Sequence, residues 1–469
     1  MREIPNTYGL PPYTKRGLKI IVIAAIIALV TFLLLPYEPN TKKGLALLVF
    51  IGILWLTEAI HITITALLVP VLGILLGIQK VGKDGELVAV GLKEALANFA
   101  SPTIFLFFGG FALATALHMQ KLDKKIAMKI IALSGSSLTY AVIAICSVTA
   151  LLSMWISNTA TAAMMLPLAI GMTTNLDREK DRGTFVFILL GIAYSASIGG
   201  LGTIVGSPPN AIASAALGYS FFQWMKIGLP LMLVLFPLMF IVLYIVFKPD
   251  LNKTIDTSKD EDIPWTTTRI LTMVLFIVTA LLWIFSKPIR TNFGIPLSDG
   301  LIALGAASLV VILGLATWKE VSRGTEWGVL LLFGGGLSLS AILKVSGASL
   351  ALGTTVANIF GSAPIFVVII AVTIFMIVLT EFTSNTASAA LLVPVFASIA
   401  AQMGIPKEAL VLVVGLCASC AFMLPVATPP NAIVFGTGLI RQKEMIRAGM
   451  ALNIVCVAVI SAYAYLFLV

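Results

Sequence analysis

Long apolar runs broken by short polar clusters set the character of this chain. A helix rises 1.5 Å per residue, so about 20 apolar residues are needed to cross a hydrocarbon core about 30 Å thick. Runs of this kind occupy 18–36, 44–57, 60–78, 102–118, 183–218, 226–247, 267–286, 297–317, 327–343, 407–440 and 443–468. Two further apolar stretches, 135–175 and 363–402, are longer and carry a polar Ser-Asn-Thr at their centres. Each is expected to fold back on itself as a re-entrant hairpin with a polar tip. The pattern predicts an all-α polytopic membrane protein with about 11 transmembrane helices and two such hairpins.

Composition agrees. Only 11% of the 469 residues are charged and 59% are hydrophobic, with a mean hydropathy of +1.06. Soluble domains carry about a quarter charged residues, so lipid is the solvent that suits this surface. The net charge of +9 does not point to nucleic acid, because the basic residues cluster between apolar runs, where they set topology. Placing the N-terminus in the cytoplasm puts Arg2, Lys15–Lys19, Lys121–Lys129, Arg178–Arg182, Lys248–Arg269, Lys319–Arg323 and Arg441–Arg447 inside. Two thirds of the 30 Lys and Arg then lie inside, as the positive-inside rule requires, and eleven spans leave the C-terminus outside. The first run is read as an uncleaved span, since Pro36-Tyr37-Glu38-Pro39 follows it rather than a small-residue cleavage site. The expected organisation is a first segment and span (1–40), a first half (41–247), an inside linker (248–266) and a second half (267–469).

The halves resemble each other at an offset of about 225 residues. Phe108-Gly109-Gly110 recurs as Phe333-Gly334-Gly335, and Ser157-Asn158-Thr159-Ala160 as Ser384-Asn385-Thr386-Ala387. Pro208-Pro209-Asn210-Ala211-Ile212 recurs as Pro429-Pro430-Asn431-Ala432-Ile433. Five spans per half would invert the second half relative to the first. Inverted repeats are a signature of secondary carriers, whose sites lie near the midplane where helices break.

The repeated blocks carry the candidate chemistry. Three consecutive polar side chains in lipid are costly unless they line a wet cavity or are buried against protein. At a hairpin tip, the free backbone N–H groups of the second arm join the hydroxyls and amide of Ser157, Asn158 and Thr159 into an anion cradle. Ser384, Asn385 and Thr386 offer a second one. One copy alone would read as helix capping; two mirrored copies read as binding. The segments Gly206-Ser207-Pro208-Pro209 and Ala427-Thr428-Pro429-Pro430 each lack two backbone donors and break a helix, freeing carbonyls that suit a hard monovalent cation such as Na⁺. No Lys or Arg lies in or beside these segments. A bound dianion would therefore need cations and helix dipoles for neutralisation, which favours cation co-transport.

Other signals are thin. Cys417 and Cys420 form a C-x-x-C that reads as small packing residues, as do Cys146 and Cys456. His61 and His118 are too few for a His-based metal site. Glu381 is the one acidic candidate for a proton relay, but Met154 holds the matching place in the first half, so it reads as a structural hydrogen-bonding group. No Walker pattern and no nucleophile–base–acid set occurs.

On the run from Trp155 to Pro167 (WISNTATAAMMLP), the run from Thr380 to Pro394 (TEFTSNTASAALLVP) and the run from Leu424 to Ile433 (LPVATPPNAI), the sequence resembles the divalent anion:sodium symporter family, the bacterial INDY-type dicarboxylate carriers. The resemblance spans essentially the whole chain. It implies a homodimer in the plasma (inner) membrane, with a scaffold and an elevator-like transport domain, carrying C4-dicarboxylates such as succinate, malate and fumarate with Na⁺. By that resemblance the substrate meets Ser157, Asn158, Thr159, Ser207, Pro208, Ser384, Asn385, Thr386, Thr428 and Pro429. One Na⁺ takes Ser153, Ser157, Asn158 and Gly206, and a second takes Thr380, Thr383, Asn385 and Ala427. The resemblance leaves open a Na⁺-independent dicarboxylate exchanger, and a citrate or sulfate carrier, on the same fold.

Overall fold

In the computed structural model the described residues are 12–82, 84–173, 176–177, 179–253, 263–360 and 363–469. Arg2, Arg178, Lys259, the last residues of the expected first hairpin (174–175) and the middle of the linker (254–262) lie outside them. The first half contains α1 (Pro12–Leu34), α2 (Pro39–Thr57), α3 (Ile62–Leu75), β1 (Gln79–Val81), β2 (Leu87–Ala89), α4 (Leu92–Ala97), α5 (Pro102–Met119), α6 (Leu122–Ala132), α7 (Leu138–Ser153), α8 (Asn158–Met172), α9 (Arg182–Gly199), α10 (Pro208–Leu217) and α11 (Phe221–Phe247). The second half contains α12 (Thr267–Phe293), α13 (Asp299–Ile312), α14 (Trp318–Gly324), α15 (Trp327–Val345), α16 (Ala348–Phe360), α17 (Ile365–Phe382), α18 (Asn385–Met403), α19 (Lys407–Cys417), α20 (Pro429–Phe435) and α21 (Gln442–Phe467).

Local chemistry explains many boundaries. Ser220 and Gln223 form a capping box at the start of α11, and Thr317 and Glu320 do so at α14. Ser298 caps α13, and Thr266 caps α12. Ten helices among the described residues are long and apolar enough to cross a membrane. The sequence pattern needs correction at four of its spans, one of them 297–317, where α13 has only 14 residues. The run at 60–78 is a helix of only 14 residues followed by a small antiparallel hairpin, Lys80 opposite Val88. The runs at 183–218 and 407–440 are each two helices with irregular backbone between them. The two stretches expected to fold back are the helix pairs α7–α8 and α17–α18, with a Ser-Asn-Thr triplet at the junction of each pair.

Burial separates the helices by role. α9 is buried from Thr184 to Gly199 and α19 from Ala409 to Cys417, although both precede a break. α1 and α12 keep most of their apolar surface exposed, as lipid-facing helices do. The Phe-Gly-Gly repeats lie where helices touch most closely. A Cβ on Gly109 would sit 2.6 Å from the Ala303 Cβ, and one on Gly335 would sit 2.6 Å from the Ala66 Cβ. Small residues allow α5 onto α13 and α15 onto α3 in the same way.

Beside the first hairpin, the chain leaving α11 is strapped to α7. Leu138 N donates to Lys253 O at 3.1 Å, and Thr139 Oγ1 donates to Leu251 O at 2.9 Å. Lys253 also pairs with Asp181, and its ammonium holds that carboxyl below the usual carboxylate range. At the hairpin tip, Trp155 stacks on Phe221 (5.7 Å between centroids), which stacks on Trp283 (4.9 Å).

Candidate functional site

Each hairpin tip is a helix start. Ser157 Oγ accepts from Ala160 N at 3.3 Å, and Ser384 Oγ accepts from Ala387 N at 3.4 Å. The capping that would explain a single triplet is thus present in both. It uses only the serines, and leaves Asn158, Thr159, Asn385 and Thr386 for other partners.

The breaks opposite the tips are held open by one device in both halves. Asn210 Nδ2 donates to Gly200 O and Thr203 O, both at 2.7 Å. Asn431 Nδ2 donates to Ala421 O at 3.1 Å and Leu424 O at 3.0 Å. Each amide reaches back ten and seven residues to carbonyls that have left the helical ladder. The prolines at 208–209 and 429–430 start the next helix, where their missing N–H groups cost nothing.

What braces each break differs. In the first half Thr203 Oγ1 donates to Met154 O and accepts from Gly206 N at 3.2 Å. In the second half Glu381, 2% exposed, takes that place. Its carboxylate accepts from Phe422 N (2.8 Å), Met423 N (2.9 and 3.1 Å), Leu424 N (3.1 Å) and Asn453 Nδ2 (2.7 Å). Only a carboxylate can accept from so many donors at once. Glu381 is therefore the structural group that the sequence suggested, anchoring α17 to the break and to α21.

Tips and breaks face one cavity of about 480 Å³. Ser157, Asn158, Thr159, Gly206, Ser207 and Pro208 line it from the first half, and Thr383, Ser384, Asn385, Thr386, Ala427, Thr428 and Pro429 from the second. Ser153 and Thr380 do not reach it; both are fully buried behind the tips. Ser197 and Ser419 also line the cavity, and sequence reasoning missed them. At the offset of the Pro-Pro repeat their counterparts are Ala418 and Ile198, so repeat pairing could not reveal either hydroxyl. Ser419 joins the two breaks directly, with its Oγ 2.9 Å from Ser207 Oγ. Glu58 and Glu326 are the acidic residues of the lining, and no Lys or Arg is among the described lining residues.

Behind the tips, oxygens converge. Ser153 Oγ, Ala196 O and Gly206 O converge on the Asn158 carboxamide, whose Nδ2 donates to them at 2.6, 3.1 and 3.2 Å. Ser153 Oγ in turn donates to Ala196 O at 2.7 Å. Asn385 Oδ1 is buried with no hydrogen-bond partner, beside Thr383, whose Oγ1 lies 2.8 Å from Ser388 Oγ. No group of three or more His, Cys, Asp or Glu able to hold a metal occurs among the described residues. Neutral hydroxyl and carbonyl oxygens of this kind suit an alkali cation, not a transition metal.

Three comparisons with known proteins bear on this arrangement. The sequence profile of the family described as the sodium:sulfate symporter transmembrane region matches residues 14–468. An uncharacterised transporter of Haemophilus influenzae is 53% identical, with 97% of each chain covered. One of Methanocaldococcus jannaschii is 40% identical, over 92% of this chain and 95% of that one. The sodium-dependent dicarboxylate transporter SdcS of Staphylococcus saprophyticus is 34% identical, over 95% and 90%. Among solved structures, the YdaH transporter of Alcanivorax borkumensis matches with a TM-score of 0.58 at 14% identity, covering 87% of this chain and 98% of that one. MtrF of Neisseria gonorrhoeae matches with a TM-score of 0.57 at 12% identity, covering 98% and 96%. These two likenesses concern the fold alone. With the family profile spanning almost the whole chain and relatives above 30% identity along nearly all of it, this chain belongs to the divalent anion:sodium symporter family and is a membrane transporter, not an enzyme.

Proposed function

We propose that the chain carries C4-dicarboxylates such as succinate, malate and fumarate across the plasma membrane, coupled to Na⁺. The observation that carries this reading is the central cavity. Two amide-bearing tips and two opened helices face it, two glutamates stand in its wall, and no basic side chain lines it among the described residues. A dianion entering such a site needs cations beside it, because uncompensated negative charge in a low-dielectric cavity is prohibitive. The oxygens gathered behind Asn158 and the orphaned Asn385 Oδ1 are where those cations would be held. The name of the SdcS relatives, sodium-dependent dicarboxylate transporters, supports the same pairing of ion and substrate.

In this reading the substrate carboxylates meet Ser157, Asn158, Thr159, Ser207 and Pro208 on one side and Ser384, Asn385, Thr386, Thr428 and Pro429 on the other. The first Na⁺ takes Ser153, Ser157, Asn158 and Gly206; the second takes Thr380, Thr383, Asn385 and Ala427. The two halves act as inverted repeats within a homodimer. Their hairpins and broken helices move as one body against a scaffold of the remaining helices, an elevator motion. The positive-inside rule puts the N-terminus in the cytoplasm and the C-terminus outside. Glu58 and Glu326 then lie on the cytoplasmic side of the cavity.

Uptake of labelled succinate into liposomes holding the purified protein tests the proposal. The expected result is accumulation that requires an inward Na⁺ gradient and no dicarboxylate inside. Uptake that ignored Na⁺ and required internal dicarboxylate would replace symport with exchange and remove the Na⁺ assignments. No transport of any dicarboxylate, with citrate or sulfate carried instead, would overturn the substrate class.

A further inference from the structure

A second polar cavity, of about 330 Å³, shares no lining residue with the central one. Three helices start beside it: Pro102 opens α5, Ser220 caps α11 and Ser298 caps α13, and all three residues line it. Gly300 lets two of these starts meet, since a Cβ there would lie 2.7 Å from Pro102 O. The positive end of a helix dipole and its unpaired N–H groups favour anions. Three such ends around one polar cavity make it electropositive before any side chain is counted.

The side chains add donors. Ser220 Oγ accepts from Gln223 N, and Ser298 Oγ from Leu301 N, both at 3.3 Å, so each hydroxyl proton is left for another acceptor. Gln223 Oε1 accepts from Ser220 N at 2.9 Å, which leaves the Gln223 NH₂ group to donate elsewhere. Ser214, fully buried in the cavity wall, has an Oγ with no hydrogen-bond partner. Lys287 and Arg290 also line the cavity; both are exposed, and neither is in an ion pair among the described residues. Asp299 is the one acid among the described lining residues. Its carboxylate already accepts from Phe221 N at 2.7 Å and Ser286 Oγ at 3.0 Å.

The surroundings narrow the choice of anion. α12, which carries both cations, keeps most of its apolar surface exposed, and Phe285, Phe293 and Ile295 around the pair are exposed as well. Cations flanked by exposed apolar side chains at a helix end sit at the level of lipid phosphates. On the proposed topology this end lies outside, where the positive-inside rule gives basic residues no task. We propose that the cavity binds a phosphate group, that of an anionic phospholipid, between Lys287 and Arg290, with the headgroup among Ser220, Gln223 and Ser298. A free phosphate anion would meet the same donors. The bound group ties α10 and α11 of the first half to α12 and α13 of the second, and it does so whatever the central cavity carries.

The test places the full-length protein in nanodiscs of phosphatidylcholine, alone or with added phosphatidylglycerol, and follows thermal unfolding. Native mass spectrometry reports how much phosphatidylglycerol the protein retains. Phosphatidylglycerol should raise the Tm of the wild type and be retained by it. Lys287→Gln combined with Arg290→Gln should abolish the rise and lower retention about tenfold or more. Lys287→Arg combined with Arg290→Lys keeps both charges and should preserve both signals, which separates loss of the site from misfolding. Lys226→Gln removes a cation of α11 that does not line the cavity and should behave as the wild type does. Inorganic phosphate added to phosphatidylcholine discs is the second arm. A rise in Tm with it that the Gln pair abolishes would keep the site and make its ligand a soluble phosphate. Retention unchanged in the Gln pair, an equal loss in Lys226→Gln, or no response of the wild type to either phosphate source would overturn the site. None of these readouts involves Na⁺ or a dicarboxylate, so failure here leaves the transport reading untouched.

Discussion

The two broken helices solve one problem with different chemistry. In both, an asparagine two residues into the short second helix bridges carbonyls ten and seven residues back, so the opened backbone has a fixed shape. The first break is then braced by a neutral hydroxyl, Thr203, against the Met154 carbonyl. The second is braced by the Glu381 carboxylate, which gathers three consecutive backbone N–H groups and the Asn453 amide. Repetition preserved the shape of the break but not the group that holds it. A shape needed for ligand binding can be met by any bracing that satisfies the exposed N–H groups, because their requirement is for acceptors rather than for a given residue.

The comparison can be broken most sharply at the tips, where the halves are expected to behave alike. On the proposed assignments, Asn158→Ala and Asn385→Ala would each remove a ligand of the ion and a donor to the substrate. At about 1.5–3 kcal/mol for each charge-assisted contact, uptake at low succinate should fall about 100-fold in either variant. Succinate KM and Na⁺ half-saturation should rise together. A variant that kept wild-type Na⁺ dependence would show that ion and substrate do not share that asparagine.

At the braces the halves should behave differently. Glu381→Gln places an NH₂ group among N–H donors and leaves part of a buried set unsatisfied, a loss of about 3 kcal/mol. Met154→Leu, at the matching position, conserves volume and leaves the Met154 carbonyl in place, and should cost under about 1.5 kcal/mol. Thermal melts of the two purified variants measure this directly. Equal falls in Tm would remove the contrast.

The smallest effect is expected where the halves touch. Ser419→Ala deletes the hydroxyl bonded to Ser207 and should raise succinate KM about fivefold, the equivalent of one ordinary hydrogen bond of about 1 kcal/mol. Na⁺ half-saturation should not change. A change in Na⁺ dependence alone would mean that the Ser207–Ser419 bond serves the ion sites instead.

Much of this architecture was legible because it is local. Apolar run lengths marked most of the membrane helices, Ser157 and Ser384 cap helices in the way their sequence neighbours suggest, and Pro208-Pro209 and Pro429-Pro430 marked the breaks. The family, too, was readable, because its motifs are contiguous. Hydropathy could not show how far the breaks extend, since 203–207 and 418–428 are as apolar as the helices before them. It also merged the end of α3 with the β1–β2 hairpin, because residues such as Leu76 and Ile78 continue the apolar run after the helix stops.

What only the tertiary structure decided depends on partners distant in sequence. Glu381 receives its donors from 41 to 72 residues away, and Ser207 meets Ser419 across 212 residues. Neither pairing leaves a periodic or repeated mark, because a hydrogen bond fixes geometry and donor type without requiring similar neighbours along the chain. The set of acceptors around Asn158 is of the same kind. Residue identity supplied the amide and the hydroxyl of Ser153, but the carbonyls of Ala196 and Gly206 carry no residue signature, and only the folded backbone aims them at one point.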